Sequence, residues 1–80
     1  MFATYIKTLP IKNATSFQVL DKSLLYSFEN KILTYNFSSL ETSVLFKGKD
    51  EITYAKIYNG FLYYVENKYF SKLKLTGFTK

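Results

Sequence analysis

The feature that most constrains this chain is a stretch that occurs twice. Ser23-Leu24-Leu25-Tyr26-Ser27-Phe28-Glu29-Asn30-Lys31 is answered 37 residues later by Gly60-Phe61-Leu62-Tyr63-Tyr64-Val65-Glu66-Asn67-Lys68. In each copy an apolar run of strand length is halted by Glu-Asn-Lys, and a second strand-like run follows. Asn accepts the positive φ that tight hairpin turns demand, so each copy reads as a hairpin turning at Asn30-Lys31 and at Asn67-Lys68. The identities are Leu25/Leu62, Tyr26/Tyr63 and the Glu-Asn-Lys triplets; one residue is then inserted, and at an offset of 38 Tyr35–Thr42 lies over Leu73–Lys80 with matching residue classes.

Around the repeat the same punctuation continues. Phe2–Leu9 alternates loosely and is ended by Pro10, which has no N–H for a ladder. Phe17–Leu20, Leu24–Phe28, Ile32–Phe37 and Thr42–Lys47 follow as short strands, then Ile52–Tyr58, Phe61–Val65 and Tyr69–Leu75. Asn59-Gly60 is the strongest hairpin dipeptide present. Leu24–Phe28 and Phe61–Val65 are apolar on both parities, as strands covered on both faces are. Ser38-Ser39 and Thr76-Gly77 sit at corresponding places as turns. No window keeps a helical i, i+3, i+4, i+7 stripe, and aromatic and β-branched residues dominate. The expected fold is all-β and antiparallel, with about eight short strands in a single domain, residues 1–80. Its parts are a lone strand in residues 1–10, a four-strand repeat in 16–48, and an incomplete three-strand repeat in 51–80.

A period of 37–38 residues with four short strands falls in the range of a propeller blade; the alternative is two similar hairpins in the meander of one small barrel. On the pattern of apolar strand, Asn-Lys turn, Ile32-Leu33-Thr34-Tyr35-Asn36-Phe37 and a small-residue turn, the chain from Ser16 onward resembles the β-propeller repeat superfamily in its WD40-like or quinoprotein-like sense. It lacks the Gly-His and Trp-Asp pairs of WD40 repeats. The resemblance implies that Phe2–Leu9 is a closing strand that supplies the missing outer strand of an incomplete blade. Two blades do not make a ring, so the chain is expected to be part of a longer propeller or to assemble with copies of itself through open strand edges.

Composition removes much chemistry. There is no Cys and no His, so thiol nucleophiles, imidazole bases and Cys/His metal sites are excluded, and no cofactor is expected. The acids lie mostly in or beside turns, and the adjacent Asp50 and Glu51 point to opposite faces of an extended segment, a poor acid/base pair. The chain is not expected to be an enzyme. All 11 basic residues are Lys, giving a net charge of +5 without Arg, the side chain that reads guanine and clamps phosphate. No apolar run is long enough to span a bilayer and no signal sequence opens the chain, so a cytoplasmic location is the expectation.

What remains is surface. Eight Tyr and eight Phe are present, and Tyr63 and Tyr69 lie near Lys72 and Lys74. Tyr5, Tyr63, Tyr69, Lys72 and Lys74 are the candidate interaction residues. The first expectation is a non-catalytic scaffold that binds protein or itself, with Tyr supplying area at low entropy cost. The second is a small β-barrel binding single-stranded nucleic acid, its aromatics stacking bases and its lysines holding phosphates.

Overall fold

The computed structural model describes residue 11 and residues 13–75. They form seven strands: β1 (Ser16–Val19), β2 (Ser23–Phe28), β3 (Lys31–Asn36), β4 (Thr42–Lys47), β5 (Ile52–Tyr58), β6 (Phe61–Glu66) and β7 (Tyr69–Lys74). β1–β4 make one antiparallel sheet in chain order, and β5–β7 make a second. The fold is all-β, and seven of the expected strands stand within about two residues of the expected bounds. Phe2–Leu9, with Tyr5, and the Thr76-Gly77 turn lie outside the described residues.

The turns follow from residue type. Asn59 and Gly60 (φ 52° and 80°) join β5 to β6, and Asn67 and Lys68 (φ 49° and 69°) join β6 to β7, both with the two positive φ values of a type I′ turn. The Asn36 side chain accepts the N–H groups of Ser38 and Ser39 at 2.8 Å each, which fixes the small-residue turn after β3. The first Glu-Asn-Lys behaves differently from its expectation. Phe28 pairs with Lys31, so the turn is Glu29-Asn30 and Lys31 already belongs to β3. Only Glu29 takes a positive φ, 55°, there. Tertiary bonds hold this phase: Gly48 N–H donates to the Asn30 carbonyl at 2.7 Å, Asn30 Nδ2 returns a bond to the Gly48 carbonyl, and Ile52 N–H donates to the Glu29 carbonyl at 2.7 Å.

The same phase shift separates the sequence repeat from the structural one. Gln18↔Leu25 corresponds to Lys56↔Tyr63, and Phe28↔Lys31 to Glu66↔Tyr69; each residue advances by 38. The identities read at an offset of 37 are therefore one residue out of structural register. A shift of one residue moves a side chain to the other face of its sheet. Leu25 and Leu62 are accordingly not equivalent: they enter one core from opposite sides, and both are fully buried.

That core lies between the sheets. Leu20, Leu25 and Ile32 of the first sheet meet Ile52, Ala55, Ile57 and Leu62 of the second, with Phe46 and Tyr64 rings 4.8 Å apart beside them. The far side of the first sheet carries a second cluster, Leu24, Tyr26, Leu33 and Tyr35, on which Ile11 and Ala14 pack. β2 is thus covered on both faces, as expected, and its one buried polar side chain, Ser27, bonds to Thr15 Oγ1 at 2.6 Å. β6 departs from the same expectation. Only Leu62 is buried, because no described residue covers the face that carries Phe61, Tyr63 and Val65.

Among the described residues no small β-barrel forms. No strand of one sheet pairs with a strand of the other, so the described residues make two stacked sheets without closure. The place where closure would start, the edge of β5, is instead sealed by side chains of β1 and of Thr15 just before it. Tyr58 and Phe61 flank a two-residue turn, so alternation aims the N–H and C=O of Ala55 and Ile57 away from β6. Gln18 Oε1 accepts from Ile57 N–H at 2.6 Å and Gln18 Nε2 donates to the Ile57 carbonyl at 2.9 Å. Ser16 Oγ bridges the N–H and C=O of Ala55 at 3.3 Å each, and Thr15 Oγ1 donates to the Ile52 carbonyl at 2.9 Å. The carboxamide of Gln18 presents an N–H donor and a carbonyl acceptor side by side, so it substitutes for one rung of a missing strand.

Candidate interaction surfaces

Two sheet faces remain open, the first of them only in part, among the described residues, and they differ in chemistry. The outer face of the first sheet is apolar. Phe17 is 49% exposed, Val19 74% and Val44 56%, around the Leu24, Tyr26, Leu33 and Tyr35 cluster. The 38-residue correspondence gives this face a counterpart. Phe17 and Val19 stand where the second sheet has Ala55 and Ile57, and Leu24 and Tyr26 stand where it has Leu62 and Tyr64. In the second sheet those positions face the first sheet and lie in or against the core.

The outer face of the second sheet is aromatic and basic. Alternation places Tyr54, Lys56 and Tyr58 of β5, Phe61, Tyr63 and Val65 of β6, and Phe70, Lys72 and Lys74 of β7 on it. No carboxylate shares this face. Tyr63 and Phe70 stack with centroids 6.0 Å apart and 22° between planes, and Phe61 leans on Tyr63 at 6.4 Å. Lys72 Nζ lies 4.4 Å from the Phe61 centroid, a cation–π contact that holds the ammonium over the rings. Lys56 Nζ lies 5.7 Å from the Tyr54 ring and donates to the Phe17 carbonyl at the edge of β1. Tyr58 and Phe70 are about two-thirds exposed (66% and 65%) and present ring surface to solvent.

The expected interaction residues divide across this geometry. Tyr63, Lys72 and Lys74 share the aromatic face. Tyr69 pairs with Glu66 on the opposite parity, on the other side of the sheet from Lys72. Tyr5 lies outside the described residues. The sequence reading missed Lys56, Tyr58 and Phe61, although strict alternation counted from the Asn59-Gly60 turn would have gathered them with Tyr63.

Away from the faces, the Glu66 carboxylate accepts the N–H groups of Lys49 and Asp50 at 2.5 and 2.9 Å and pins the loop between β4 and β5. A groove of about 330 Å³ beside that loop is lined by Glu29, Asn30, Lys49, Asp50 and Glu51. No three metal-ligating side chains converge among the described residues, and none of the described strands is accompanied by a helix that could cross a membrane. Comparison with protein-family models, characterised proteins and solved structures finds no match.

Proposed function

We propose that this chain is a non-catalytic interaction scaffold: a pair of blade-like sheets, related to propeller blades, that is completed by packing the outer face of its first sheet against another β sheet. One observation carries the reading. Phe17, Val19, Leu24 and Tyr26 occupy the positions that in the second sheet serve the intersheet contact, yet Phe17 and Val19 stand open among the described residues. Apolar sheet faces stack about 10 Å apart, and burying one removes apolar area worth about 25 cal/mol per Å². The sealed edge of β5 bears on the mode of contact: association through that edge would have to displace Gln18 and Ser16, so a face rather than this edge is the docking surface.

The test is mass in solution. Sedimentation or light scattering is expected to give multiples of 9.4 kDa at micromolar concentration. Val19→Lys and Phe17→Lys, at exposed positions, should return the monomer without changing the circular dichroism spectrum. A folded, monodisperse monomer that neither substitution alters would sink the proposal.

A further inference from the structure

The two sheets do not repeat their front faces. On the first sheet, four of the positions that meet the second are small or polar, Ser16, Gln18, Ser23 and Ser27, and they surround the buried Leu25. Their counterparts 38 residues on are Tyr54, Lys56, Phe61, Tyr63 and Val65. Lys56 has only donors and replaces Gln18, so the bidentate seal on a neighbouring strand edge cannot be made there. Bulk replaces serine, so close approach of a further sheet of the same kind is lost as well. In their place stands a row of rings with lysines above and beside it and no carboxylate on the face.

We infer that the outer face of the second sheet binds single-stranded nucleic acid, its bases stacking on Phe70 and Tyr58 and its phosphates meeting Lys72 and Lys74. Three observations fit this polyanion with flat faces. The exposed rings offer π-surface that every base can use, so binding is tolerant of sequence. Lysines without arginine hold phosphates as point charges and do not read base edges. Lys72 is already positioned over Phe61, which places positive charge beside the stacking surface rather than at the end of a free side chain. A six-residue strand spans about 20 Å, room for several nucleotides laid along the sheet. The inference does not rest on the packing proposal, which concerns the opposite face and is read by mass.

The experiment is a fluorescence-anisotropy titration of the whole chain with labelled oligothymidylate and oligouridylate of about ten nucleotides, within the roughly 4–16 that one binding fold covers. Saturable binding of either strand supports the inference. With two to three phosphates neutralised, affinity should fall with a log–log salt slope between about −1.4 and −2.1, or roughly 7- to 18-fold between about 50 and 200 mM salt. Phe70→Ala should weaken binding about 5- to 150-fold, the range for loss of one stacked base. Lys72→Gln should reduce the slope by about 0.7, whereas Lys22→Gln, on the turn after β1, should leave binding unchanged. Both face residues are exposed, so folding is retained and checked by circular dichroism. Three results overturn the inference: no binding of either strand at low salt, which together with an assembly that Phe70→Ala dissolves would make the face a protein interface; equal affinity for polyphosphate, which has charge without bases; or equal weakening by Lys22→Gln and Lys72→Gln.

Discussion

At the scale of single residues, the side chains that matter most are those that stand in for backbone. Gln18 satisfies both polar groups of the buried residue Ile57. Gln18→Ala leaves a donor and an acceptor unpaired at a half-closed edge, and the expected loss is about 2 kcal/mol, read as a melting temperature lower by roughly 8–16 °C. Glu66 acts in the same way on the loop before β5. A Cβ added at Gly48 would run into the Glu66 carboxylate, and that carboxylate is not free to move because Lys49 and Asp50 hold it. Gly48→Ala and Glu66→Ala should each destabilise by about 1–3 kcal/mol. In the double variant the two losses should not add, since removing the carboxylate removes the clash. Additivity in that cycle, measured by denaturant unfolding, would show that the glycine is needed for another reason.

At the scale of elements, the hairpins show how much of a turn belongs to sequence. Asn59-Gly60 is a turn in sequence and structure alike, because few other dipeptides tolerate two positive φ values. Gly60→Ala meets no neighbouring atom within 4 Å, so its cost is conformational alone, about 1–2 kcal/mol. Glu29 presents the reverse case, a non-glycine residue at φ 55°. Glu29→Gly relieves that conformation while loosening the unfolded chain, and the net is expected between neutral and about 1 kcal/mol stabilising. Opposite signs for the two substitutions in thermal melts are the check. Identical Glu-Asn-Lys triplets turning one residue apart show that local preference leaves two phases open, and contacts from Gly48 and Ile52 choose between them.

At the scale of the whole molecule, stability rests on a thin intersheet core and a smaller cluster behind the first sheet. A chain of 80 residues hides only around 60% of its unfolded surface, and its total stability lies near the low end of the ordinary range, about 5–15 kcal/mol. Leu25→Ala and Leu62→Ala, both in the intersheet core, should each cost about 2–5 kcal/mol, enough to leave a large unfolded fraction in urea titrations at low denaturant. Phe70→Ala, on the open aromatic face, should cost far less. This separation of stability from surface is what allows the faces to be tested by substitution.

Seven strands and their antiparallel order were legible in the sequence because strand length, alternation and turn residues are local properties. The pairing of the sheets was not. An offset of 37 read from identical residues and an offset of 38 set by hydrogen bonding differ by one position, and one position decides which face a side chain occupies. That choice belongs to tertiary structure: it put Leu25 and Leu62 in one core, sealed β5 with Gln18 in place of a strand, and gathered Tyr63, Phe70 and Lys72 on a common surface while sending Tyr69 to the other side. The repeated stretch determined that hairpins form; how they stack was decided by which apolar faces could be buried together while the polar groups at their edges stayed satisfied.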